Sequence, residues 1–163
     1  MPTFSKLAKD IVKLPQYSGI IVSGQKKLVR GIVRLTSWNS IDEDYIKVAF
    51  TDHTGLLFLL SPKEVYLSKL LGEVEGVADE KVGQPTVTFG GRKFRLENKD
   101  DYQFVKQLYC GSPLDAETEC RFSDYSPEDE APEILSLGWM VNNGERADVF
   151  CEEVSPNAVV IAP

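Results

Sequence analysis

The sequence is poor in the residue types that most site chemistry requires. One histidine, His53, stands in 163 residues. That excludes multi-histidine zinc sites, the paired-histidine metalloprotease helix and any two-histidine mechanism. The three cysteines, Cys110, Cys120 and Cys151, are ten and thirty-one positions apart. This spacing matches no zinc ribbon or redox pair, and an odd count in a chain of this size points to reduced thiols. No run of about eighteen apolar residues occurs, so no segment reads as membrane-spanning. The opening Met1-Pro2-Thr3-Phe4-Ser5-Lys6 lacks the apolar stretch of a signal peptide, and the expectation is a cytoplasmic protein. Neither the P-loop pattern nor the dinucleotide glycine fingerprint is present, and no Gly-x-Ser-x-Gly elbow supplies a nucleophile. The sequence therefore nominates no cofactor, no metal site and no catalytic residue.

What is present describes a globular chain. Apolar residues make up 42% and charged residues 26%, which argues against wholesale disorder. The net charge of −7 hides an asymmetry. Residues 1–36 carry seven Lys/Arg and one Asp, a net of +6, whereas the remaining 127 residues carry a net of −13. The length predicts one domain, with two smaller lobes as the alternative.

A short amphipathic helix is expected over 3–14, set apart within residues 1–16. Thr3 or Ser5 caps it and Pro15 stops it. Phe4, Leu7, Ile11 and Leu14 recur at helical spacing, with Lys6, Lys9, Asp10 and Lys13 between them. From residue 17 the signals are those of strands. Residues 27–36 alternate, as do 45–52, where Ile46, Val48 and Phe50 face one way. Asp52-His53-Thr54-Gly55 is turn chemistry, and Leu56–Leu60 is a continuous apolar run, the mark of a strand buried on both faces. Residues 63–71 lean towards a strand that turns at Gly72. Residues 72–84 are Gly-rich and acidic and read as a connection between halves.

Gly90-Gly91 specifies a two-residue hairpin that pairs Val87 with Phe94 and Thr88 with Lys93. Residues 97–101 read as a polar turn, 102–110 as a strand with a bulge, and 119–125 as a strand. Residues 126–133 read as a mobile acidic loop. Matching of apolar faces predicts a three-residue loop in the last hairpin. That loop opposes Val141 to Glu145, Trp139 to Ala147, Leu137 to Val149 and Leu135 to Cys151. A closing strand over 158–161 completes a mainly β fold of about ten strands in two small sheet or barrel-like halves, 17–72 and 84–163, with one short N-terminal amphipathic helix.

Few residues invite a functional reading. Asp52 and His53 are adjacent and point to opposite faces of an extended chain, so Asp52 does not orient His53. The carboxylate clusters Asp42-Glu43-Asp44 and Glu128-Asp129-Glu130 lack the spacing of a calcium loop and read as solvated loops. Lys26, Lys27, Arg30 and Arg34 form the densest basic group, with Arg30 and Arg34 about 13 Å apart on one strand face. That face, with Tyr17 and Trp38 near it, suits a small nucleic-acid platform, but the acidic remainder of the chain opposes a polyanion. Trp38 and Trp139 read as core anchors. The residues nominated for partner binding are Phe4, Lys6, Leu7, Lys9, Ile11 and Lys13 on the helix, and Lys26, Lys27, Arg30 and Arg34 on the strand. Residues 3–14 are also a candidate for contact with an anionic membrane surface.

The order of several motifs carries a resemblance. Trp38 precedes Tyr45-Ile46-Lys47-Val48 and Thr54-Gly55-Leu56-Leu57-Phe58-Leu59. Gly90-Gly91-Arg92-Lys93-Phe94-Arg95-Leu96 follows, then Gly111 with Pro113, Asp124-Tyr125, Leu135-Ser136-Leu137-Gly138-Trp139 and Asn143-Gly144. Over residues 17–161 this run resembles the bacterial family named domain of unknown function 4178. Phe58 stands where that family usually has Trp, Leu137-Gly138 replaces its Ser-x-Glu, and the 3–14 helix is an addition. The resemblance implies a β-rich bacterial module without an established activity, similar to components encoded near phage-shock-type membrane-stress proteins and polyamine-related enzymes. It transfers no catalytic residue.

The leading functional expectation is a non-enzymatic cytoplasmic interaction or scaffold module, accessory to a bacterial envelope-stress system and engaging a protein partner. The first alternative is an enzyme or small-ligand binder with a pocket between the two halves, and convergent carboxylates in a concave apolar site would favour it. The second is a weak nucleic-acid-binding barrel.

Overall fold

The computed structural model describes residues 3–37, 44–60, 64–111, 119–141 and 144–163. Trp38, Asp42, Glu43, Pro113, Asn142 and Asn143, which figure in the sequence reading, lie outside them.

One helix, α1 (Lys6–Ile11), leads the chain. Ser5 caps it by accepting a hydrogen bond from the Ala8 amide at 3.2 Å, and Lys6 pairs with Asp10 one turn on, at 2.8 Å. It is shorter than the 3–14 span expected. After Ile11 the amides of Lys13 and Leu14 bond back only three residues, to Asp10 and Ile11. The last turn thus tightens ahead of Pro15, which cannot continue a helix.

Eleven strands follow: β1 (Gly19–Val22), β2 (Gln25–Ser37), β3 (Tyr45–Phe50), β4 (Thr54–Leu59), β5 (Val65–Gly72), β6 (Thr86–Phe89), β7 (Arg92–Gly111), β8 (Cys120–Pro127), β9 (Glu133–Met140), β10 (Asp148–Val154) and β11 (Val159–Ile161). All pairings are antiparallel. Two separate small sheets were one form of the sequence expectation; the strands form a single sheet instead. Eight of them, in the order β2-β3-β4-β5-β10-β9-β8-β7, close into a barrel through the β2–β7 pairing. β1 and β11 extend the sheet beyond β2, and β6 extends it beyond β7. Closure removes the open edges that an eight-stranded sheet would otherwise present.

β7 makes this closure possible. Its first residues pair with β6 and its last with β2, while its N-terminal half also pairs with β8. The polar turn expected at 97–101 is an irregular bend within this one strand: the register shifts twice there and Asp100 has a φ of 51°. The bend turns the ladder around the barrel without breaking it. At the seam Gly111 takes a φ of +64°, and a Cβ there would sit 2.1 Å from the Arg30 carbonyl oxygen. Only glycine fits that approach.

The apolar core lies mainly outside the barrel wall. The outward residues of β2–β5, Ile32, Ile46, Val48, Phe50, Leu56, Phe58 and Val65, form one cluster beneath Phe4, Ala8 and Ile11 of the N-terminal segment and Ile20, Val22 and Val159 of β1 and β11. The outward residues Phe94, Tyr125, Leu135 and Leu137 form a second cluster beneath Val74, Val77 and Val87. The 73–85 connection is therefore a strap laid over the second face of the wall. It is pinned by Asp148, whose carboxylate accepts from the Val74 amide at 2.9 Å and from the Gly138 amide at 3.1 Å. The same carboxylate accepts from Arg146 Nε and Nη2 at 3.1 and 2.6 Å.

This latch corrects the last hairpin. Trp139 bridges Arg146 and Leu135 pairs with Phe150, one position from the expected register. The Met140 amide donates to Glu145 and the Gly144 amide to Met140, which closes a four-residue loop. Apolar matching went astray by treating Asp148 as a residue to be kept from the interior; its four hydrogen bonds satisfy it there.

Candidate functional site

With the apolar residues of the wall turned outward, the lumen receives the alternate positions. Lys47 and Tyr45 point inward because Ile46 and Val48 point out, and the same alternation sends Leu57 and Leu59 inward from β4. Ser68, Asp101, Gln103, Phe122, Asp124, Ile134, Ser136, Val149 and Cys151 follow from the paired registers. Together with Asp44 and Leu60 they line a partly open cavity of about 280 Å³. Seven of the eight barrel strands contribute to it, so it is the barrel interior and not a surface cleft. It also lies between the halves 17–72 and 84–163 of the sequence, since each supplies part of the lining.

One side of the lumen is hydrogen-bonded and acidic. The Tyr45 hydroxyl donates to Gln103 Oε1, and Gln103 Nε2 donates to Asp101 Oδ2 at 3.1 Å. Ser136 Oγ donates to Asp124 Oδ1 at 2.6 Å. Burial pushes the Tyr45 hydroxyl well above its usual pKa, and the neighbouring Cys120, Asp124 and Asp101 push in the same direction, so Tyr45 remains a neutral donor. Burial likewise raises the Cys151 thiol to about 12, opposed by Lys47 and aided by Asp124. Cys151 is therefore a thiol at neutral pH and not a nucleophilic thiolate.

Asp44 stands at the edge of the lumen. Its Oδ2 lies 2.7 Å from Arg34 and 3.0 Å from Lys106. Burial acts to raise its carboxyl pKa, but hydrogen bonds from Thr36, Lys106 and Arg34 outweigh it and hold the group below the usual carboxylate range. The Asp44 side chain is only 2% exposed, and its Oδ1 has no hydrogen-bond partner among the described residues. Lys47 follows three residues later on β3, and its side chain makes no hydrogen bond or ion pair with a described residue. Leu57, Leu59, Leu60, Ile134 and Val149 supply the apolar remainder of the lining.

The residues nominated from sequence occupy other places. Phe4 and Ile11 are core residues, 8% and 0% exposed. Leu7 packs partly against the same cluster. Lys27 is buried, with Nζ 2.6 Å from Asp52 Oδ2 and 5.9 Å from the centre of the Phe50 ring. Arg34 spans from Asp44 to the Phe4 ring, 5.1 Å from its centre. These side chains are committed to the fold. Lys6, Lys9, Lys13 and Lys26 are exposed and Arg30 is half-buried. Trp139 lies on the barrel between the Arg121 and Arg146 guanidiniums, 4.5 and 5.7 Å from its ring. His53 sits exposed in its turn with a φ of 67°.

Sequence reasoning missed the lumen set: Tyr45, Lys47, Ser68, Asp101, Gln103, Asp124, Ser136 and Cys151. A signal for part of it was present. Tyr45/Lys47 and Asp101/Gln103 are polar pairs two residues apart within strands, the spacing of one strand face. Such positions read as solvent-facing unless the barrel is known to close over them. No family model, curated protein or solved structure matches this chain, and none of these comparisons lends support to an enzymatic activity.

Proposed function

We propose that this protein is a non-enzymatic binding module that holds a small molecule in the lumen of its barrel. The carrying observation is the partly open cavity of about 280 Å³ in the barrel interior, in which apolar residues meet a few convergent polar groups. That combination marks ligand sites, which commonly measure about 300–1,000 Å³. A barrel of eight strands has an interior suited to one small ligand. The reading is tested by methyl NMR titration with leucine, isoamylamine, 4-methylpentanoate and isoamyl alcohol, which share a branched chain and differ in charge. At least one of them is expected to shift the methyls of Leu57, Leu59, Ile134 and Val149 while those of the outer wall, Ile46, Leu56 and Leu135, stay in place. If none moves the lumen methyls at millimolar concentration, the proposal is wrong.

A second reading keeps the interaction or scaffold role in the bacterial cytoplasm, accessory to envelope stress, that the resemblance to domain of unknown function 4178 implies. It is supported by the exposed ammonium groups of Lys6, Lys9, Lys13 and Lys26, against the acidic remainder of the chain. Flotation with vesicles rich in anionic lipid tests its membrane arm. Binding that Lys6→Glu with Lys9→Glu and Lys13→Glu abolishes supports contact with a membrane surface, and no flotation at low salt rejects it.

A further inference from the structure

The lumen lining includes a group of hydrogen-bond donors that no described residue engages. Lys47 on β3 pairs with Leu57 on β4, and its ammonium group has no hydrogen-bond or ion-pair partner among the described residues. Its charge acts on the Cys151 thiol of β10, so the two stand near one another. Cys151 in turn pairs with Ser68 on β5 and Ile134 on β9. Ser68 is 4% exposed, and its hydroxyl likewise has no hydrogen-bond partner among the described residues. The ammonium, the hydroxyl and, weakly, the thiol all donate, and Leu57 and Ile134 line the cavity beside them. The acids of the lining are in a different state. Asp101 accepts from Gln103 and Asp124 from Ser136, and Asp44 is paired with Arg34 and Lys106.

Lys47 is half-buried, and solvent reaches its ammonium group until an occupant excludes it. Leaving that group without an acceptor is costly, so an occupant of the lumen must bring one. A hydrocarbon brings none. A cation brings none either and is repelled by Lys47. A carboxylate brings an acceptor together with a negative charge, and the lumen receives that charge poorly. At Cys151 the influence of Lys47 is opposed by that of Asp124, and Asp44 Oδ1 stands at the lumen edge without a donor among the described residues. We infer that the lumen takes a small uncharged molecule with a branched apolar body and one oxygen acceptor, a ketone or an alcohol. Its oxygen accepts from Lys47 Nζ and Ser68 Oγ, and its body lies among Leu57, Leu59, Ile134 and Val149. The cavity volume of about 280 Å³ suits a molecule of that scale and excludes a peptide or a nucleotide. The inference rests on the reading of the lumen as the binding site.

The test is an affinity order on the unmodified protein, measured by calorimetry. It sets 4-methylpentan-2-one and isoamyl alcohol, both uncharged, against 4-methylpentanoate, isoamylamine and leucine. The uncharged pair is expected to bind best, with each charged molecule weaker by roughly tenfold or more, because its charge finds no free counterpart in the lumen. Lys47→Met keeps most of the side chain's bulk and removes the donor. It is expected to weaken the ketone roughly tenfold, the factor that one hydrogen bond to a charged group supplies, and to leave isoamylamine no weaker than before. Ser68→Ala is expected to weaken the ketone by a smaller factor, roughly fivefold, as for a bond between uncharged groups. The inference is overturned if any charged member binds as tightly as the ketone, or if Lys47→Met holds the ketone as tightly as the unmodified protein does. In either case a shift of the lumen methyls shows that the lumen still binds a ligand and only its class is wrong. If no member of the series moves a lumen methyl, the lumen reading itself falls. The ranking on the unmodified chain decides the matter even where a variant fails to fold.

Discussion

Replacing Asp148 with Ala removes the latch that holds the strap to the barrel. Asp148 is 0% exposed and accepts from Val74, Gly138 and twice from Arg146. The substitution leaves two backbone amides without their acceptor. It also leaves the Arg146 side chain, 5% exposed, with Asp79 and the Val77 carbonyl as its remaining hydrogen-bond partners. Removing one member of a buried ion pair costs about 3–5 kcal/mol. For a chain of this size each kcal/mol lowers Tm by about 2–4 °C, so the expected loss is about 6–20 °C. Urea unfolding followed by circular dichroism measures the global effect, and hydrogen exchange at the Val74 amide measures the local one. Asp148→Asn preserves the shape and one acceptor oxygen and is expected to lose less. A loss below about 1 kcal/mol for Asp148→Ala would refute the latch. Undiminished protection at Val74 would refute it equally.

Two further outcomes are expected. The Asp52 carboxyl lies at about 2 because hydrogen bonds from Lys27 and Thr54 outweigh the upward push of burial. A carboxyl depressed on folding adds stability above its unfolded pKa, about 3.9, and loses it as pH falls through the folded value. Asp52→Asn should therefore flatten the decline of stability between about pH 4 and 2. Solvent screening at this half-exposed side chain limits the difference to under about 1 kcal/mol; an unchanged acid profile contradicts the pairing. Separately, Cys151 is 2% exposed with its thiol raised to about 12. Iodoacetamide at pH 8 should leave it unmodified in the folded protein and label it in urea, as read by peptide mass mapping. Equal labelling in both states contradicts its placement.

Local rules were legible where one face decided the matter. The Gly90-Gly91 hairpin pairs Val87 with Phe94 and Thr88 with Lys93 as its sequence dictates, with φ of 58° and 76° at the two glycines. The apolar run at 56–60, expected to be buried on both faces, is buried on one: Leu56 and Phe58 pack in the outer cluster, whereas Leu57 and Leu59 line the lumen and are only half-buried. The strand with a bulge at 102–110 and the turn at Gly72 also stand. What escaped was long-range. Barrel closure depends on β2 meeting β7 across more than sixty residues, and no local pattern encodes that. The lumen residues were hidden for the same reason, because Asp101, Asp124 and Ser136 look like the wet face of ordinary strands until closure turns that face into the lumen. The last register failed because Asp148 is satisfied by Arg146 and by backbone amides that the sequence does not place beside it.

The central claim is that the inside of this barrel is a ligand site and its outside is the core. Crystal structures determined from crystals soaked separately in leucine, isoamylamine, 4-methylpentanoate and isoamyl alcohol test it most directly. The account predicts density inside the barrel beside Leu57, Leu59, Ile134 and Val149, with the outer clusters unchanged. A lumen collapsed onto its own side chains, or all four molecules found only on the surface, would contradict it.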